Sequence, residues 1–118
     1  MTSYASSHIY EYNAHVVNVV DGDTIDAVVD LGFGHSQKMR FRLKGVNAPE
    51  LNSTEEVERV FANQAKDFVE ATILDKYVRI LSEKGDYWGL WVGNVILEDG
   101  KTVSQLLLEN NLAKPKEA

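Results

Sequence analysis

Residues 38–46 read KMRFRLKGV, and their alternation decides the fold. Met39, Phe41 and Leu43 fall on one side of an extended chain, with Arg40, Arg42 and Lys44 on the other. Side chains two apart share a strand face, so this pattern predicts a half-buried strand with a core side and a wet, cationic side. Upstream, GFGHS (32–36) supplies a hairpin connection, two glycines flanking Phe33. TIDAVVDL (24–31) alternates as well, with Ile25, Ala27, Val29 and Leu31 opposite Thr24, Asp26 and Asp30. HVVNVV (15–20) is short and β-branched, and DGDT (21–24) breaks it with a turn. Three antiparallel strands are expected from about residue 14 to 46.

Downstream the period changes from two to that of a helix. Ser53 and Glu56 have the spacing of a capping box, and Val57, Val60, Phe61, Ala65, Phe68 and Thr72 form the expected buried stripe. KYVRILSE (76–83) and WGLWVGNVIL (88–97) read as two more strands. TVSQLLLENNLA (102–113) reads as a closing helix, capped by Thr102, with Val103, Leu106 and Leu107 inward. The fold class is α+β: a five-stranded antiparallel OB-type Greek-key barrel with a helix after strand 3 and a C-terminal helix.

The 118 residues suit one domain, expected at 14–114 after an N-terminal arm (1–13, with Tyr4, Tyr10 and Tyr12) and before a short tail (115–118). With 44% hydrophobic and 25% charged residues the composition is that of a folded globular chain. There is no cysteine, which excludes disulfides and thiolate metal sites and leaves oxygen or histidine as ligands. That favours a hard cation such as Ca²⁺ or Mg²⁺ over structural zinc. The opening MTSYASSHIYEYNAHVV has neither a basic start nor a long apolar run, so the expected address is intracellular (cytoplasmic), or that of a virus-encoded product inside a cell. The net charge of −6 argues against a sequence-blind grip on nucleic acid, but not against binding phosphate through a bound cation.

Two turns carry the chemistry. Asp21 and Asp23 flank a glycine in DGDT, either as an Asx-type turn serving its own backbone or as cation ligands. Glu50 follows Pro49 at the end of the neighbouring strand, and hairpin pairing would bring Asp23 and Glu50 to one rim. Carboxylates gathered there repel unless a cation or proton intervenes. Arg42 projects from the polar face toward the same rim, suited to bidentate contact with a phosphate, or else paired with Asp26 or Asp30 across the hairpin. His8, His15 and His35 lack metal-ligand spacing and read as surface or packing residues. Trp88 and Trp91 are base-stacking candidates, though aromatics in such a strand more often belong to core or rim.

VVDGDTID (19–26), FRLKGVNAPE (41–50) and GLWVGNVILEDGKTVSQLLLENNLAK (89–114) together resemble the staphylococcal nuclease (thermonuclease) family, in order, from His15 to Lys114. The resemblance implies an OB-type barrel and a Ca²⁺-dependent phosphodiesterase acting on DNA and RNA. By position Asp23 matches the first calcium aspartate and Asp21 the other aspartate of that motif. Arg42 matches the first catalytic arginine, and Glu50 the glutamate that orients or deprotonates the attacking water. Asn47 stands where the family has a second metal aspartate, and Ala48 where a backbone carbonyl joins the metal. Leu90 stands at the second arginine, and the tyrosines that follow the last helix are absent from AKPKEA. An amide oxygen brings no charge to a cation, and a missing cationic donor costs roughly 10²–10⁵ in rate. Lys84, Arg40 or Lys44 are the candidates to compensate.

Three functions follow. The first is a nuclease of reduced activity cutting single-stranded or frayed DNA or RNA with a weakly bound Ca²⁺ or similar cation. The second is an inactive OB-fold module gripping a nucleic acid or a protein. The third is a regulatory protein binding a basic partner through its acidic surface.

Overall fold

The computed structural model describes residues 10–84 and 91–116, Lys84 by its backbone alone. Strands β1 (Tyr10–Asp21), β2 (Thr24–Gly32) and β3 (His35–Leu43) come first, followed by a two-residue β4 (Val46–Asn47). Helix α1 (Glu56–Ile73), β5 (Tyr77–Lys84), β6 (Trp91–Ile96), helix α2 (Val103–Glu109) and a two-residue β7 (Lys114–Pro115) complete the order. Five strands close into a barrel in the order β1-β2-β3-β6-β5. One pairing departs from the antiparallel expectation: β3 and β6 run parallel, joined at Phe41–Trp91, Arg42–Val92 and Leu43–Gly93. The reason is parity. A closed ring of five strands cannot alternate direction all the way round, so one seam must be parallel.

β1 serves two neighbours, pairing with β5 over Tyr10–His15 and with β2 over Ala14–Asp21. Register shifts after Val16 and after Val19 are bulges that sharpen its coil, which is how one strand bends round a small barrel. Residues 10–13, expected in an arm, form the start of this strand. The barrel is filled by the expected inward residues of β2 and β3, namely Ile25, Ala27, Val29, Phe41 and Leu43, with Val16, Val19, Ile80 and Val95. A Cβ at Gly93 would sit 3.0 Å from Ile80 and 3.1 Å from Phe41, so the parallel seam closes only over a bare backbone. Leu31 is exposed rather than inward, because pairing between β1 and β2 reaches only Val29 and the hairpin runs on past the core.

Helix α1 differs from expectation in rotation and in cap. Ala62, Ala65, Val69 and Ile73 are buried, while Val57, Val60 and Phe61 are 67%, 50% and 51% exposed. The helix thus turns a small-residue stripe to the barrel at its N-terminal half. Its N-cap is Glu55, with no side-chain cap bond, so Ser53 and Glu56 do not form the expected box. Ser53 Oγ donates instead to Glu58 Oε2 at 2.7 Å. Helix α2 follows its sequence: Thr102 and Gln105 make a full capping box, Val103 and Leu107 are buried, and Leu106 is half-buried. Trp91 packs half-buried against the core, as expected of a barrel aromatic. Among the described residues no helix is long and apolar enough to cross a membrane.

Candidate functional site

The β1–β2 turn and the polar face of β3 meet as the hairpin register requires, with Thr24 opposite Arg42. The Asp21 carboxylate (Oδ1) accepts from the Asp23 N–H at 3.0 Å, the Asx geometry that closes the turn. Asp23 is buried: Oδ1 accepts from Thr24 Oγ1 at 3.0 Å and Oδ2 from the Ala48 N–H at 2.9 Å. Its carbonyl accepts from the Leu43 N–H at 2.7 Å, which fixes the turn to the end of β3. Gly22 makes the assembly possible. A Cβ there would lie 2.7 Å from Ala65 Cβ and 2.8 Å from Ala48 Cβ, so turn, α1 and the chain after β4 approach to backbone contact. The small-residue stripe on α1 is the other half of that fit.

Arg42 reaches into this turn. Its Nη2 donates to Asn47 Oδ1 and stands 3.4 Å from Asp23 Oδ2. Its Nε is buried and has no hydrogen-bond partner among the described residues. A buried unmet donor costs free energy, about 1–3 kcal/mol and more on a charged group, so it marks a place where an acceptor belongs. Arg40, next on the same face, is different: Nε and Nη2 donate to Asp26 Oδ1 and Oδ2 at 2.8 and 3.2 Å. Asp26 is buried, takes a further bond from Asn18 Nδ2, and is held below the usual carboxylate range chiefly by Arg40. The pairing considered for Arg42 across the hairpin therefore belongs to Arg40.

Asn47 is held from a direction its own neighbourhood does not foretell. β4 pairs with β7 through Val46–Pro115 and Asn47–Lys114, and the Lys116 N–H donates to the Gly45 carbonyl at 2.9 Å. The segment after α2 thus clamps the residue that faces Arg42. Beside it a cavity of about 600 Å³ opens between Ala48–Pro49, Val57, Phe61 and Leu112–Lys114.

Glu50 lies on the exposed loop between β4 and α1, and among the described residues its carboxylate has no bond to Asp23, Arg42 or Asn47. The meeting of Glu50 with Asp23 expected at the rim is made instead by Ala48. The loop is tied back to α1: Glu58 accepts from Ser53 Oγ and, at 3.5 Å, from the Glu50 N–H, while Arg59 Nη1 donates to the Ser53 carbonyl at 2.7 Å. Sequence reasoning passed over Glu58 and Gly22; the signal was present in a second glutamate one turn into the helix and in a glycine between two aspartates. Leu90, Trp88 and His8 lie outside the described residues, as does the Lys84 side chain. His15 Nε2 meets Asp75 Oδ1 at 2.7 Å and its ring stacks on Tyr77, a packing role, while His35 is exposed.

The cation that the resemblance implies can be tested against this donor set. Asp21, Asp23, the Asn47 amide and the Ala48 carbonyl offer oxygen only, the chemistry of a hard ion. The Asp21 carboxyl is pushed up to about 6, first by burial and then by the Asp23 carboxyl beside it. A carboxyl that holds its proton so high lies where extra positive charge would be favourable. The set is lean: among the described residues no three His, Cys, Asp or Glu side chains gather as a metal group. The residues fit a hard cation in kind, with little charge to hold it.

Comparison with known proteins bears on the same residues. The family model of the staphylococcal nuclease homologues matches residues 40–118. Endonuclease YhcR of Bacillus subtilis (strain 168) is 36% identical over 87% of this chain and 9% of its own length. Protein ParB of Escherichia coli is 29% identical over 72% of this chain and 42% of its own. Ribonuclease TUDOR 2 of Arabidopsis thaliana is 44% identical over 46% of this chain and 6% of its own. The chain therefore spans less than half the length of each of these relatives, and what it shares with them is a nuclease-like module. With that match covering more than half of the chain, from Arg40 onward and including Arg42, Asn47, Ala48 and both later barrel strands, the chain belongs to the staphylococcal nuclease homologue family.

Proposed function

We propose that this domain hydrolyses phosphodiester bonds in single-stranded or frayed DNA or RNA, assisted by Ca²⁺ or a similar hard cation. The observation that carries the reading is the buried Nε of Arg42, without a partner among the described residues, beside a carboxylate pair. A guanidinium that meets Asn47 and Asp23 through Nη2 alone, among the described residues, has N–H groups left for a phosphate oxygen. Asp21, Asp23, Asn47 and the Ala48 carbonyl would hold the cation, which when bound supplies Lewis-acid stabilisation of the phosphate charge. Arg42 binds the phosphate and offsets the charge that grows on its oxygens. Glu50, on its loop tied by Glu58, accepts the proton of the attacking water. Nucleic acid as substrate accords with relatives whose names are endonuclease and ribonuclease.

Incubation with single-stranded DNA and RNA, in Ca²⁺ or in chelator, tests this. Cutting that needs Ca²⁺ and disappears in Glu50→Gln is the expected result. A folded protein that cuts neither substrate in either condition overturns it. The exposed Glu50, whose carboxylate has no bond among the described residues, favours a second reading, an inactive module that grips nucleic acid at Arg42 without cutting; binding of uncut single strands that is lost in Arg42→Gln would support it.

A further inference from the structure

Charge is distributed along this chain in a way its net value hides. Four of the 12 Lys and Arg residues, and none of the 18 Asp and Glu, fall between Leu31 and Pro49. All four lie on or just after β3, at alternate positions, so Lys38, Arg40 and Arg42 share its outer face. The same strand is only partly enclosed. β6 pairs with it at Phe41–Leu43 alone, so among the described strands residues 35–40 pair only with β2, and the hairpin projects past the barrel. At its tip Phe33 is fully exposed in a left-handed conformation (φ 56°) between two glycines of the same kind. An L-residue with a large apolar ring has no folding reason to be there.

We propose that a single-stranded nucleic acid leaving the Arg42 phosphate site runs along the outer face of β3, past Arg40 and Lys38, and stacks a base on Phe33. The inference rests on the reading of Arg42 as a phosphate ligand and adds the path taken by what it binds. Alternate strand positions put one cation every ~6.7 Å, about twice the 3.4 Å axial rise per nucleotide of one strand in a duplex. That spacing suits a backbone drawn out toward full extension and not a stacked double helix. Lys38 has no ion-pair partner among the described residues. Among the described residues Arg40 has no partner on Nη1, which leaves it for a phosphate even while Nε and Nη2 hold Asp26. On the facing strand Asp26 is covered by Arg40, and Asp30 is turned back to the Gly32 N–H at 2.8 Å. A line of cations ending in an aromatic platform is how single strands are held without sequence preference.

Anisotropy of labelled (dT)4 and (dT)12 in chelator, where nothing is cut, tests the path. The double variant Lys38→Gln/Phe33→Asn is suitable because both side chains are exposed and asparagine tolerates the left-handed backbone. Wild-type protein is expected to hold (dT)12 more tightly than (dT)4. The variant should lose at least about five-fold on (dT)12, nothing on (dT)4, and about 0.7 from the salt slope. Equal affinity of wild type for both lengths, or unchanged (dT)12 binding in the variant, overturns the path. So does a variant whose only change is a loss of self-association in sedimentation, which would make the hairpin an edge for protein pairing. Ca²⁺-dependent cutting with length-independent binding leaves the hydrolase standing and removes the path. Length-dependent binding lost in the variant, without any cutting, does the reverse.

Discussion

Arg40 and Arg42 stand two residues apart on one face of one strand, yet their surroundings are opposites. Arg40 is met edge-on by a buried aspartate that is itself fully bonded, so the pair is closed within the fold. Arg42 lies against an amide and a shared carboxylate and keeps a buried N–H unspent among the described residues. Sequence alternation treats the two alike. Their partners separate them: Arg40 has its Nε–Nη2 edge spent on Asp26, and Arg42 has a buried Nε with no partner among the described residues.

The largest effect should come from the open side. Arg42→Gln is expected to lower Ca²⁺-dependent cutting by roughly 10²–10⁵, the range for a charge-stabilising donor in phosphoryl transfer, with little change in thermal midpoint. A midpoint that falls as far as the activity would show Arg42 to be architectural after all. Next is the turn that serves Arg42. Gly22→Ala must force Ala65 or Ala48 away, at a cost of about 1–3 kcal/mol by denaturant titration. Ala65→Gly in the same chain should recover part of it.

The closed side should answer in stability. Arg40→Gln leaves Asp26 buried without its main partner and should lower the midpoint more than Arg42→Gln does, with Asp26→Asn restoring much of the loss. The smallest and most diagnostic effect is in pH, measured without metal. Asp21, raised to about 6, contributes stability that is complete below about pH 4 and lost as pH rises through 6. Asp26, lowered by Arg40, contributes stability present above its ordinary value and lost as pH falls through the folded one. Asp21→Asn should flatten the first slope and Asp26→Asn the second; exchanged effects would refute the assignment.

Much of this was readable from residue order. The alternation of 38–46 and 24–29 gives β2, β3 and their register, and that register alone places the DGDT turn beside Arg42. Helix α1 was legible as a helix but not in its cap or its rotation, because Val57, Val60 and Phe61 and the stripe Ala62, Ala65, Val69 both keep helical spacing. What chose between them is the close approach at Gly22, a contact across some forty residues that no local pattern records. The meeting of Glu50 with Asp23 fails for a similar reason: its loop is governed by Glu58 and Arg59, and it is Ala48 that reaches Asp23. The clamp of β7 on Asn47 is equally non-local.

The parallel seam also orders events in time. It joins β3 to β6 through three residue pairs about fifty positions apart in the chain, whereas β2 and β3 meet across a short hairpin. Long-range pairing pays its loop-closure entropy before any contact rewards it, so the hairpin should form early and the seam late. Two adjacent amides report the two stages. Leu43 N–H is bonded to Asp23 within the hairpin side, and Lys44 N–H to Gly93 across the seam. In pulse-labelled hydrogen exchange Leu43 should gain protection first and Lys44 last, so that the two halves of the barrel meet around Arg42 only as folding ends.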